Sequence, residues 1–195
     1  MIRRSAARVF WSVSRWTLKS EPVPPESASI LIGAPHTSNW DFLFMLAITW
    51  DAGISARFLG KKSLFRGPLG PIMRWLGGIP VDRSHPMGLV HAVVERARAS
   101  ERFFLVVTPE GTRARTAGWK SGFYRIALDT GLPITLGYVD RTTMTTGLGP
   151  TFHLTGDVAA DMDRIRAFYA DKSGFSPENR TEPRLRDETK PPRLA

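Results

Sequence analysis

The sequence predicts an α/β fold: a single domain with a largely parallel sheet flanked by helices, preceded by an amphipathic amino-terminal helix. Three observations carry this. Apolar runs of strand length recur at residues 30–32, 56–60, 103–108 and 133–139. Between them lie stretches whose apolar residues return at helical spacing, and strands alternating with helices imply a parallel sheet covered on both faces. The chain has 195 residues, 42% of them hydrophobic, with six tryptophans, which suits one globular domain with a sizeable core.

Residues 1–20 place Arg3, Arg4, Arg8, Arg15 and Lys19 among Ile2, Val9, Phe10, Val13, Trp16 and Leu18. A helix here is basic on one side and apolar on the other, the composition of an interfacial membrane helix; the same apolar side equally suits packing on the domain. The apolar run is too short and too charged for a signal peptide or a membrane span. Pro22, Pro24 and Pro25 make 21–29 a connector, and the domain is assigned to 21–171.

The first strand ends at Gly33 and Pro35, and a helix follows on Trp40, Leu43, Phe44, Ala47 and Ile48, closed by Gly53. Strand 56–60 ends at Lys61-Lys62. Pro68 and Pro71 break the helical segment 64–78, and Ile79 to Arg83 reads as a strand edge. Leu89, Val90, Val93, Val94 and Ala97 predict a helix over 87–100. Strand 103–108 runs into the loop Pro109-Glu110-Gly111-Thr112-Arg113. A helix over 121–130 stops at Gly131, strand 133–139 follows, 151–155 is a further strand, and 159–170 is the last amphipathic helix. Asp129-Thr130-Gly131 matches an aspartic-protease triplet, but it closes a helix and has no second copy. Residues 172–195 mix proline with both charge signs and few apolar residues, the composition of a disordered tail.

Composition narrows the chemistry. With no cysteine there is no disulfide framework, thiolate nucleophile or thiolate metal site. The four histidines, at 36, 85, 91 and 153, lack metal-ligand spacing, so no metal is implied. A net charge of +9 favours anionic partners: nucleic acid, acidic lipid or phosphorylated and carrier-bound substrates. No helix-turn-helix, zinc-finger or RNP-like signature points to nucleic acid.

His36 and Asp41 are the candidate chemistry. Ser38 is a good N-cap, and Asp41 three residues later suits a capping-box carboxylate reaching back to the cap's N–H. On one continuous helix residues five apart point about 140° away from each other. A loop histidine folded over the first turn escapes that limit, and a carboxylate on one imidazole nitrogen then frees the other to take a proton from a hydroxyl. From the pair alone, a cap beside an ordinary loop histidine is the commoner arrangement. Ligands of parallel sheets sit beyond the carboxyl ends of the strands, where His36, Lys61, Arg83 and Glu110 to Arg113 all fall. Arg113 can hold a phosphate through two parallel hydrogen bonds, although such a string is also the usual makeup of a solvated turn.

The residues resemble a known family. His36-Thr37-Ser38-Asn39-Trp40-Asp41 is similar to the H-x4-D motif of the glycerolipid acyltransferases, typified by 1-acyl-sn-glycerol-3-phosphate acyltransferase. Three later blocks follow in that family's order: Gly60 to Phe65 running on to Gly78 to Arg83, then Pro109-Glu110-Gly111-Thr112-Arg113 with Lys120, Ser121 and Gly122, then Leu132-Pro133-Ile134. Pro35 stands where many members have Asn, the hydrophobic amino-terminal spans of many members are missing, and Leu136-Gly137-Tyr138 lacks a proline often found there.

The resemblance implies transfer of a fatty acyl group from an acyl-CoA or acyl carrier protein thioester, a co-substrate rather than a cofactor, to a hydroxyl of a lysophospholipid. His36 is then the general base and Asp41 its orienting carboxylate. Lys61, Glu110, Gly111, Thr112 and Arg113, with Arg83 as helper, hold the acceptor's phosphate. The expected partners are the thioester donor, the lysophospholipid and an anionic membrane surface, with no nucleic acid; the expected place is the inner face of the cell membrane, reached from the cytoplasm. Another lipid or glycolipid acceptor, hydrolysis to free fatty acid, and a non-catalytic membrane-surface protein are the alternatives.

Overall fold

A computed structural model describes residues 2–22, 28–81, 93–95, 97, 99, 100, 102–186 and 188. Helix α1 (Ile2–Val13) is followed by β1 (Thr17–Leu18), β2 (Ala28–Gly33), α2 (Trp40–Asp51) and β3 (Ala56–Lys61). A 3₁₀ turn (Lys62–Phe65), α3 (Leu69–Trp75), β4 (Gly78–Val81) and β5 (Phe103–Val107) come next. The chain ends through α4 (Gly122–Thr130), β6 (Ile134–Asp140), β7 (Thr145–Phe152) and α5 (Val158–Tyr169). Of the helix expected over 87–100, residues 93–95 and 97 are helical and 87–92 lie outside the described residues, as do Asp82 and Arg83.

The sheet has seven strands in the order β1-β7-β6-β2-β5-β3-β4. The described pairings are parallel except that of β6 with β7. After β2 the chain crosses to β3, moves outward to β4, returns to β5 at the side of β2, and then places β6 on the other side of β2. This reversal opens the crevice beside the carboxyl end of β2, the usual ligand position in such sheets.

Alternation along β2 builds the two cores. Ile30 and Ile32 face one side with Leu105, Ile134 and Leu136, under Trp119, Phe123, Met162, Ile165 and Tyr169. Leu31 faces the other with Val106, Val139 and Leu148, under Phe44, Ile48, Ile54 and Phe58. Ile30, Ile32 and Leu105 are fully buried, and each such side chain contributes roughly 1.5–3 kcal/mol of burial free energy. The site therefore stands on the most deeply buried strands of the sheet.

Three elements differ from the reading of the sequence. The amino-terminal helix stops at Val13, not at residue 20, because the Trp16 N–H bonds to Ser14 Oγ in a local turn and Thr17–Leu18 then pairs with Thr145–Thr146. Its Phe10 and Trp11 pack with Phe44, while Ile2, Val9 and Val13 stay exposed. The strand expected at 151–155 is instead Thr145–Phe152, held antiparallel by β6, with Pro150 near the end of its pairing where no second partner strand is needed.

The third difference is the carboxyl-terminal segment. Composition assigns 172–195 to a disordered tail, but residues 172–186 pack on the domain; 187 and 189–195 lie outside the described residues. Trp119 donates its backbone N–H to Arg184 O at 2.7 Å, Arg186 donates to Trp119 O at 3.1 Å, and Leu185 and Thr181 are buried. Few apolar residues are needed for this, because the anchoring is by backbone hydrogen bonds and capped polar groups.

Candidate active site

Strand β2 passes through the cis peptide Ala34–Pro35 into His36, and α2 begins four residues later. Asp41, in the first turn of α2, gathers the loop around one oxygen. Its Oδ2 accepts the Thr37 N–H at 2.7 Å and the Ser38 N–H at 2.8 Å, and lies 3.1 Å from His36 Nδ1. The capping expectation holds in modified form: Asn39 occupies the cap position, Ser38 Oγ accepts the Trp40 N–H at 3.2 Å, and Asp41 reaches back to Ser38 N–H. A carboxylate there also meets the positive end of the helix dipole.

The same contact sets the histidine. An acceptor oxygen at Nδ1 requires the proton on Nδ1, which leaves the Nε2 lone pair available. The His36 side chain is 21% exposed and that of Asp41 10%. The pair is thus a base with one reachable nitrogen and a shielded carboxylate behind it.

Glu110 takes a different place from the one expected. It is 2% exposed, and its Oε2 accepts the His36 backbone N–H at 2.9 Å. Burial pushes its carboxyl up from an ordinary 4.5 to about 8, with the His36 N–H opposing, the charge of Asp41 adding to the rise and that of Arg180 opposing it. Buried and engaged by the His36 N–H, the Glu110 side chain does not face solvent with Arg113; it holds the backbone of the histidine turn. Register explains the meeting: Ile32 pairs with Val107, so the residues just past each strand end face each other.

The rest of the block does face solvent. Thr112 and Arg113 are exposed beyond β5, and Lys61 is exposed at the end of β3. Both strand ends open on the carboxyl edge, and β3 is the neighbour of β5. Gly111 has φ 70°, and a Cβ there would sit 2.7 Å from Lys120 Nζ, so the Lys120 chain lies across this glycine. Lys120, which the resemblance named only as the continuation of this block, thereby joins Arg113 as a cation at this loop. Arg83 lies outside the described residues. Among the described residues no group of three or more His, Asp or Glu is placed to hold a metal ion.

Comparison with known proteins gives the family and a likeness of fold. A family model described as Acyltransferase matches residues 17–135. The chain belongs to the acyltransferase family. A 1-acyl-sn-glycerol-3-phosphate acyltransferase of Cocos nucifera is 42% identical over 82 residues, a stretch that spans 39% of this chain and 27% of that relative. The crystal structure of the 1-acyl-sn-glycerophosphate acyltransferase PlsC from Thermotoga maritima superposes with a TM-score of 0.56 at 18% identity, covering 80% of this chain and 69% of that one, a likeness of fold.

The acyltransferase match contains the H-x4-D turn, Lys61 and the 109–113 loop, and it stops before β7 and α5. Residues beyond it still touch the site. Ser176 donates its N–H to Thr37 Oγ1 at 2.9 Å, and Phe175 stacks beside Trp40. Neither was visible to sequence reasoning, since both lie in the segment that composition reads as a tail.

Proposed function

We propose that this acyltransferase moves a fatty acyl group from an acyl-CoA or acyl carrier protein thioester to the free hydroxyl of 1-acyl-sn-glycerol-3-phosphate, giving phosphatidic acid. The observation that carries the reading is the His36–Asp41 pair, with Nδ1 engaged and Nε2 available at the crevice. His36 Nε2 takes the proton of the acceptor hydroxyl as its oxygen attacks the thioester carbonyl. The C–S bond of the tetrahedral adduct then breaks, and the imidazolium returns the proton to the departing thiolate. Asp41 holds the ring and offsets its transient positive charge; the reaction as written needs no cofactor.

Arg113 and Lys61, with Lys120, are exposed cations suited to the acceptor's phosphate. The same chemistry suits an acidic carrier protein. We place the protein on the inner face of the cell membrane as a peripheral protein. Trp40, Leu43, Leu64, Leu69, Ile72 and Trp75 are exposed apolar residues near the basic Lys61, Lys62 and Arg66 in sequence, a combination that favours an anionic bilayer. Among the described residues no helix is long and apolar enough to cross a membrane.

The test is thiol release from palmitoyl-CoA with and without lysophosphatidic acid, for wild type and His36→Ala. Release that depends on the acceptor and disappears in the variant supports the reading. Release without acceptor dependence indicates hydrolysis. Silence with acyl carrier protein donors and a panel of lysolipids as well indicates a membrane-surface protein without transferase activity.

A further inference from the structure

The turn that carries His36 is braced from outside the family-matched region. Residues 173–176 run alongside the end of β6: Gly174 donates its N–H to Val139 O at 3.0 Å, and Arg141 donates to Gly174 O at 3.2 Å. Ser173 ties the segment down through Asp140, with Oγ to Oδ1 at 2.6 Å and N–H to Oδ1 at 3.1 Å. From this anchor the segment reaches the catalytic turn at two residues inside the His36 to Asp41 hexapeptide. Ser176 N–H bonds to Thr37 Oγ1, and Phe175 stacks between Trp16 at 5.9 Å and Trp40 at 6.3 Å between ring centroids. The packing at Gly174 is close. Gly174 has φ 75°, and a Cβ on it would stand 2.9 Å from Thr37 Oγ1 and 3.1 Å from Pro35 Cβ.

Thr37 is 3% exposed, and its N–H goes to Asp41 Oδ2, the same oxygen that holds His36 Nδ1. One residue therefore links the carboxyl-terminal segment to the dyad: its side chain accepts from Ser176 and its backbone donates to Asp41. With Glu110 gripping His36 N–H, the turn is held from the β5 side and from the β6 side at once. We infer that residues 173–176 position the catalytic turn, with Thr37 and Phe175 as positioning residues for the His36–Asp41 pair. The inference rests on the acyl-transfer reading for its kinetic consequence but not for its structural one.

The test compares Thr37→Val, Thr37→Ser, Phe175→Ala and Phe175→Leu in the full chain. It measures kcat and KM for palmitoyl-CoA and lysophosphatidic acid, melting temperature, and the ring ¹⁵N shifts of His36, which report which nitrogen bears the proton. Thr37→Val keeps the volume and removes the acceptor, so kcat falls about tenfold with each KM within about twofold of wild type. Thr37→Ser keeps the hydroxyl and stays within about twofold in kcat. Phe175→Ala lowers kcat in the same way, and Phe175→Leu recovers part of it. The Nδ1–H signature is altered in Thr37→Val and Phe175→Ala and retained in Thr37→Ser. Lower melting temperatures with wild-type kcat and an unchanged ¹⁵N pattern overturn the inference, leaving the segment a brace for the fold alone. If the wild type transfers no acyl group to any acceptor, the proposed function fails and the ¹⁵N comparison decides the positioning role by itself.

Discussion

Replacing Glu110 by Gln isolates the buried carboxyl from everything else that titrates. In the folded chain this group is pushed up to about 8 from 4.5, mainly by burial. Between those two values the native protein holds a proton that the unfolded chain has released, so stability falls as pH rises through the window and levels off above it. The separation, about 8 minus 4.5, is about 3.5 units; at 1.36 kcal/mol per unit the loss from pH 4.5 to pH 8 is at most about 5 kcal/mol. Glutamine keeps a carbonyl oxygen to accept the His36 N–H and never ionises, so Glu110→Gln lacks this slope. Urea unfolding followed by tryptophan fluorescence, at pH 5, 6, 7, 8 and 9, gives the difference in unfolding free energy between variant and wild type, in which the other groups cancel. That difference should swing by several kcal/mol in favour of Gln from pH 5 to pH 9. Parallel curves over the whole range would refute a neutral Glu110 in the native state.

Other substitutions separate the roles at the site. Asp41→Asn leaves an acceptor near His36 but no charge behind the imidazole, and kcat should fall about 10²- to 10⁴-fold with thioester KM little changed, measured by thiol release. Arg113→Ala removes a charge-assisted contact whose usual worth of about 1.5–3 kcal/mol corresponds to a rise of roughly 10- to 150-fold in the lysophosphatidate KM; an unchanged KM places the phosphate elsewhere. Gly111→Ala puts a side chain at φ 70° and against Lys120, so thermal unfolding should show a loss of about 1–2 kcal/mol.

Much of the fold is legible along the chain because its causes are local. Strand-length apolar runs alternating with helical periodicity predict a parallel sheet with two covered faces, and β2, β3, β5, β6, α2, α4 and α5 lie within a few residues of the readings. The dyad is legible for the same reason: His36 and Asp41 are five residues apart across one helix start, and a capping carboxylate reaching back is a local geometry. Gly131, at φ 66° as the cap of α4, accounts for the protease-like triplet in the same terms. What decided the rest was pairing between distant segments. Glu110 lies 74 residues from His36, and only the β2–β5 register turns its carboxyl from a surface ligand into a buried support. Thr17–Leu18 is too short to signal a strand and Gly147, Gly149 and Pro150 disfavour extension, so the edge strand and the full length of β7 depend on the hydrogen bonds that a neighbour supplies. Residues 172–186 have the composition of a chain that cannot bury enough apolar surface to fold by itself. They are ordered by a surface already built, through Ser173 on Asp140, Ser176 on Thr37 and Leu185 beside Trp119. The sequence by itself thus determined the periodic elements and the pairing of His36 with Asp41 across the helix start. The tertiary structure alone decided which carboxyl is buried and which tail is pinned, since burial and strand partners belong to pairs of residues far apart in the chain.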